Sequence, residues 1–204
     1  SKYVQGSIGA ETLAEVKDKL EAGRNVLFTG CPCQVAALKS YLNKPYDGLT
    51  TAEIVCHGVP SPLLFKTYLQ TLEKGGSKVT DYVFRDKSKG WGMFFRYELG
   101  GKSVCKRSTF DPFMNNFMYG RIYRESCYQC AFARKNRVAD LTLGDFWGVL
   151  KEYPELYDPR GLSAVLVNTQ QGQAAFARIA ETVEHHEVAF ERVAKHNENL
   201  VRPS

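Results

Sequence analysis

The sequence holds no apolar run approaching the ~20 residues needed to cross a bilayer, so a membrane span is not expected. Its opening lacks the short apolar core of a secretory signal. No GxGxxG follows a strand-like segment, and the dinucleotide fingerprint is therefore missing. Internal repeats and low-complexity linkers are absent as well. The chain also begins Ser1-Lys2-Tyr3-Val4-Gln5 without an initiator methionine, and a fragment of a longer protein is expected. Cysteine is sparse: 6 among 204 residues are too few for a small disulfide scaffold. Their grouping beside turns fits ligands in a reducing compartment, so the expected location is cytoplasmic.

What is present is an ordinary globular composition, 44% hydrophobic and 24% charged, which argues against disorder. At 204 residues the chain suits one domain with a sizeable core. The formal net charge is +5, and much of the excess lies in Arg121, Arg124, Arg134, Lys135 and Arg137. Such a cluster can bind a phosphate backbone, receive an anionic cofactor, or offset the charge of a thiolate-bound metal. The distribution leaves all three open.

Patterning divides the chain in two. Thr12 and Glu15 suggest a capping box, with Leu13, Val16 and Leu20 forming a helical stripe that ends near Gly23. A short strand at 26–29, a helix over 34–42 and a strand over 49–55 follow. Ser61-Pro62 supplies an N-cap and a first-turn proline for a helix reaching about Lys74, where Gly75-Gly76 stops it. This alternation predicts a parallel α/β unit. Strands are then expected over 79–85, 93–99 and 103–106, with Gly100-Gly101 as a tight hairpin turn. A short helix at 111–118, irregular structure around the CxxC and a strand at 139–143 come next. A strand at 162–167, an Asn168/Thr169 cap and a helix over 174–183 complete the pattern, and the tail from His196 has little to hold it. The expected class is α/β, a single domain with a central mixed β-sheet flanked by helices and an irregular cysteine-bearing segment.

The cysteines carry the functional signal. Cys127-Tyr128-Gln129-Cys130 supplies two adjacent thiols, while Cys33 and Cys56 each follow an apolar strand. If those strands are parallel neighbours, both cysteines emerge at the carboxyl edge, where α/β proteins place ligands. Cys33 falls in the first turn of its helix, where free N–H groups and the positive dipole end favour a thiolate. Gly30 and Gly58 permit close or positive-φ backbone beside a bulky centre. Four thiols point to zinc or an iron–sulfur cluster. A zinc site often uses two local CxxC knuckles and here there is one, yet spacing alone leaves zinc open. Cys31 is a spare thiol, Cys105 reads as a small core residue, and His57 is either a ligand in a zinc version or a local hydrogen-bonding group.

Arg85-Asp86-Lys87 with Gly90-Trp91-Gly92 combines cations, flexible backbone and an aromatic face. That combination suits a phosphate-bearing, ring-containing cofactor, or equally a charged turn on a core tryptophan. Gly144-Asp145-Phe146-Trp147-Gly148 either approaches a planar cofactor or forms a packed turn.

At these residues the sequence resembles the coenzyme F420 hydrogenase/dehydrogenase beta-subunit family. The likeness runs through Gly30-Cys31-Pro32-Cys33-Gln34-Val35-Ala36, Cys56-His57-Gly58-Val59-Pro60-Ser61-Pro62 and Phe84-Arg85-Asp86-Lys87 with Gly90-Trp91. It continues through Cys127-Tyr128-Gln129-Cys130-Ala131-Phe132-Ala133 and Asp140-Leu141-Thr142-Leu143-Gly144-Asp145-Phe146-Trp147-Gly148. With weaker similarity outside the motifs, it spans Lys2-Tyr3-Val4-Gln5 to Asn168-Thr169.

The resemblance implies an iron–sulfur flavoprotein oxidoreductase and makes residues 1–204 its carboxyl-terminal catalytic domain. A [4Fe–4S] cluster and a flavin, usually FAD, would pass electrons between a small substrate or hydride carrier, such as coenzyme F420, and iron–sulfur partners. Cluster ligation carries over onto Cys33, Cys56, Cys127 and Cys130. Arg85, Lys87, Trp91, Asp145 and Phe146 would form the flavin neighbourhood, and no catalytic residue is assigned. Two departures stand out. Cys31 occupies a position where relatives commonly have threonine or serine. Many relatives also carry an amino-terminal ferredoxin-like domain that is not expected within these 204 residues, so a partner protein or missing domain would complete the electron path, with the basic cluster as its docking surface. Nucleic acid is not an expected partner on this reading. The alternative is a zinc-stabilised nucleic-acid-binding or interaction module without redox activity.

Overall fold

The computed structural model describes residues 3–4, 6–73 and 75–204. The chain starts with helix α1 (Ala10–Glu21), strand β1 (Val26–Gly30), helix α2 (Pro32–Leu42), strand β2 (Leu49–Ile54) and helix α3 (Pro62–Leu72). Three strands follow, β3 (Val79–Asp86), β4 (Phe94–Leu99) and β5 (Lys102–Arg107), then α4 (Pro112–Met118) and the one-turn α5 (Glu125–Tyr128). The remainder is β6 (Leu141–Asp145), α6 (Val149–Glu152), β7 (Ser163–Val167), α7 (Gln170–Ala177) and α8 (Phe190–Ala194). No helix among the described residues is long and apolar enough to cross a membrane.

The fold class is the expected one. A mixed sheet runs in the order β1-β2-β6-β7, its first three strands parallel and β7 antiparallel. The strands β3, β4 and β5 form a separate antiparallel sheet, joined through the Gly100-Gly101 turn, where both residues have positive φ (55° and 76°). Two glycines at positive φ give the turn the twist of the flanking strands.

Three apolar clusters hold these layers. α1 and α2 bury Val16, Leu20, Val35, Leu38 and Leu42 against Phe28 and Leu49 of the sheet. Each such side chain contributes about 1.5–3 kcal/mol. A second cluster joins Val55, Phe146, Val149, Ala164, Val193 and Leu200. A third, mostly aromatic, sets the second sheet and α4 around Phe95, Phe113, Met114 and Phe117.

Helix starts follow side-chain chemistry where a capping group exists. Ser61, Asp111 and Thr169 each accept a backbone N–H of the first turn, at 3.1, 2.7 and 3.1 Å. Thr12 and Glu15 do not act as a capping box, because α1 already begins at Ala10 behind Gly9. Glu15 instead pairs with Lys19 at 2.5 Å, one turn along. Thr169 starts α7 at once, four residues before the expected helix, which ends at Ala177 with a 3-10 turn over Ala180–Thr182. The expected end of α3 at Lys74, and the Lys2 and Gln5 positions of the opening motif, lie outside the described residues.

The tail corrects the expectation that little holds it. Leu200 is fully buried in the second cluster, Asn197 and Asn199 are buried, and Ser204 Oγ donates to the His57 carbonyl at 2.6 Å. The two-residue apolar run Leu200-Val201 is too short to show a periodicity that would announce the anchor.

Asp140 ties the parallel ladder to α7. Its carboxylate accepts the Thr51 N–H at 2.7 Å, the Thr51 hydroxyl at 2.6 Å and the Thr169 hydroxyl at 2.7 Å. Burial favours its neutral form, but these donors win and hold its pKa below the ordinary 3.8. A depressed pKa contributes stability above the unfolded-state value and loses it as pH falls through the folded one. Asp140→Asn is therefore expected to cost about 1.5–3 kcal/mol at neutral pH in denaturant unfolding. The gap between wild type and variant should narrow below pH 3.8, and a gap constant down to pH 3 would contradict the assignment.

Candidate metal centre

The thiol site is assembled by the parallel sheet. β1 and β2 run in register from Val26 opposite Leu49 to Gly30 opposite Glu53, so both leave the sheet at one edge. At the end of β1 the chain turns directly into α2. Cys31 is its N-cap and accepts the Gln34 N–H through its side chain, while Gln34 Oε1 accepts the Cys31 N–H at 2.9 Å. Pro32 takes the first helical position, which places Cys33 in the first turn. On the neighbouring strand, Val55 N–H still donates to the Leu143 carbonyl at 2.8 Å, and Cys56 follows as the chain departs.

The second pair of thiols arrives on the segment after α4. Arg124 N–H donates to the Val59 carbonyl at 3.0 Å, tying the segment to the stretch behind Cys56. Tyr123 donates its N–H to the Tyr128 hydroxyl at 3.0 Å and its own hydroxyl to the Phe117 carbonyl at 2.7 Å. α5 then carries Cys127, whose N–H donates to the Arg124 carbonyl at 2.8 Å. A single cavity of about 510 Å³ results, lined by Cys31, Cys33, Cys56, Cys127 and Cys130. All six cysteines of the chain are thiols. Cys105 stands elsewhere, paired in register with Arg96 in the second sheet.

The thiols sense one another. Part of Cys33 reaches solvent, yet desolvation by the cavity walls and then the neighbouring Cys56, Cys130 and Cys127 push its thiol up. These effects outweigh the expected help from the helix N-terminus. Cys31 shifts the other way, lowered by its hydrogen bond with Cys56 against the opposing effect of burial. Five soft donors from three segments suit a thiophilic metal centre. Among the described residues, no group of three or more His, Cys, Asp or Glu side chains is arranged to hold a single ion.

A smaller cavity of about 240 Å³ adjoins the first, and Ile54 and His57 line both. Asp145 and Trp147 face it. Asp145 pairs with Arg85 at 2.5 Å and accepts the Trp91 Nε1–H at 3.4 Å. Trp91 and Trp147 stack at 5.3 Å with a 5° interplanar angle, and the Arg85 guanidinium lies 5.0 Å from the Trp147 ring centre. Arg85 Nε and Nη2 are buried with no hydrogen-bond acceptor among the described residues. The structure thus gathers Arg85, Trp91 and Asp145, with Trp147 as an added member. Lys87 is exposed on its turn, and Phe146 packs in the second apolar cluster.

Sequence reasoning passed over two features. Glu53 and Arg137 form a buried ion pair at 2.5 Å, with side chains 0% and 1% exposed. A lone carboxylate in a strand otherwise built of Leu, Thr, Ala and Ile was the available signal. Arg137 therefore leaves the basic surface on which charge counting had placed it. Asn199 and Pro203 of the tail also line the thiol cavity.

The family model for the C terminus of the coenzyme F420 hydrogenase/dehydrogenase beta subunit matches residues 23–192. No curated protein matches the chain.

Gly58 marks where backbone freedom is needed. Its φ is +127°, and a Cβ there would stand 2.6 Å from the Tyr123 ring. Gly58→Ala is expected to destabilise the fold by roughly 1–3 kcal/mol, read by denaturant unfolding. A variant as stable as wild type would show that Tyr123 does not fix this turn.

Proposed function

The chain belongs to the coenzyme F420 hydrogenase/dehydrogenase beta-subunit family, a family of redox enzyme subunits, and we propose that it acts as a flavin- and iron–sulfur-dependent oxidoreductase. In this reading a [4Fe–4S] cluster sits on Cys33, Cys56, Cys127 and Cys130. The supporting observation is that all four thiols, delivered by three separate segments, line one cavity. Its volume of about 510 Å³ exceeds what a single ion requires, and cysteine thiolates are the usual holders of such clusters.

FAD would lie at the adjoining site of Arg85, Trp91, Asp145 and Trp147. Supporting this are the two buried Arg85 nitrogens, Nε and Nη2, without an acceptor, since a buried donor needs a partner and a flavin offers carbonyl or phosphate oxygens. When bound, the flavin exchanges hydride-equivalent pairs with a substrate or F420, and the cluster passes single electrons to an iron–sulfur partner.

The protein's own part is binding and electrostatics. Asp145 fixes the Arg85 guanidinium and the Trp91 indole on one side, and the stacked tryptophans offer a flat apolar wall. Cys33 stands in the first turn of α2, whose free backbone N–H groups and positive dipole end stabilise negative charge there. Ile54 and His57, common to both cavities, keep the two sites side by side. Arg121, Arg124, Arg134 and Lys135 remain exposed beside the thiol segment, a surface suited to an acidic ferredoxin-like domain or redox partner.

Anaerobic reconstitution followed by metal and flavin analysis tests the reading. Cys127→Ser and Cys130→Ser should each lose most of the bound iron, whereas Cys105→Ser should keep it. Equal iron in all three variants would reject the ligand assignment. Stoichiometric zinc without iron or flavin would favour a zinc-stabilised interaction module instead.

A further inference from the structure

Glu53 is a carboxylate with a fully buried side chain in the parallel sheet. Besides Arg137 Nε it accepts the Thr142 hydroxyl at 3.0 Å and the Ala139 N–H at 3.3 Å. Across the pair, Arg137 Nη1 donates to the Phe132 carbonyl at 3.0 Å and the Arg134 carbonyl at 3.3 Å. Those carbonyls belong to the stretch directly behind Cys130, and Arg137 itself lines the thiol cavity. One guanidinium thus clasps the end of the CxxC segment and fastens it to β2, just before the chain reaches Cys56. Packing alone does not call for this arrangement, because apolar residues of similar volume commonly replace a buried ion pair without loss.

We propose that Arg137 and Glu53 are positioning residues of the thiol centre: the pair sets the CxxC segment against Cys56 and fixes the local charge that a bound cluster meets. This rests on reading the centre as an iron–sulfur site. Groups beyond the ligands that orient and polarise a centre commonly govern metal retention, and nearby charge and burial set a cluster's potential.

The test compares wild type with Glu53→Gln, Arg137→Gln, Arg137→Lys and the double variant Glu53→Gln/Arg137→Gln. The metal-free proteins are treated with iodoacetamide, and alkylation of Cys127 and Cys130 is followed by mass spectrometry. The anaerobically reconstituted proteins are challenged with an iron chelator, and their midpoint potentials are measured by EPR-monitored titration. Arg137→Gln should speed alkylation of both cysteines and weaken iron retention about 10-fold or more. Glu53→Gln leaves the guanidinium uncompensated and should raise the midpoint potential, and the double variant should bring it back toward wild type. A merely structural role would not produce that reversal. A wild-type alkylation rate in Arg137→Gln, or an unchanged potential in Glu53→Gln, would overturn the proposal. If Arg137→Gln does not fold, Arg137→Lys carries the alkylation test, since it keeps the charge and loses the fork. A wild-type protein that takes up no iron would defeat the cluster reading, while the alkylation rates would still decide the anchoring role.

Discussion

Parallel pairing of β1 with β2 is the constraint on which the rest of the structure depends. Parallel neighbours cannot be joined by a tight turn, so the chain must cross over through α2, which starts directly behind β1. That crossover buries Val35 and Leu38 on the sheet and puts the Gly30-Cys31-Pro32-Cys33 turn at the same edge as Cys56. The ladder continues into β6, whose far end delivers Asp145 and the Trp147 turn to that edge. Two neighbouring cavities are the geometric outcome. The larger is completed by the irregular segment between α4 and β6, which brings Cys127 and Cys130 to it.

Polar groups inside this sheet then decide how the irregular segments attach to it. Glu53, Thr51 and Thr142 are fully buried, and Asp140 nearly so. Their hydrogen bonds reach outward to Arg137, Thr169 and Asn168, the last donating to the Thr142 hydroxyl at 2.9 Å. Burying charge is costly unless every group is satisfied. Here the satisfied network links the sheet to the segment behind the CxxC on one side and to the start of α7 on the other. An apolar sheet interior would hold the strands together equally well but would not specify where those segments sit.

Much of this was legible in the sequence because it is local. The strand–helix alternation, the Ser61 and Thr169 caps, and the Gly100-Gly101 turn each depend on a few adjacent residues. The meeting of Cys33 and Cys56 was legible too, because parallel pairing fixes where strand ends go. What escaped depends on contacts between distant residues. Nothing near Glu53 announces Arg137, and the stacking of Trp91 on Trp147 joins two turns whose residues also read well as ordinary core. The second sheet was visible as strands, but strand patterns do not say which sheet they join. The Thr12 capping box failed because Ala10 and Glu11 are themselves good helix formers and carried α1 back to Gly9. Leu200 was missed because the two-residue apolar run Leu200-Val201 is too short to show a period.

The central claim is that Cys33, Cys56, Cys127 and Cys130 hold one iron–sulfur centre in the larger cavity. A crystal structure of the anaerobically reconstituted protein, with an anomalous difference map at the iron edge, tests it most directly. The account predicts one compact iron peak bounded by those four sulfurs, with Cys31 beside it and outside the ligand set. Iron bound elsewhere, or a centre ligated by Cys31 or His57 in place of one of the four, would contradict it.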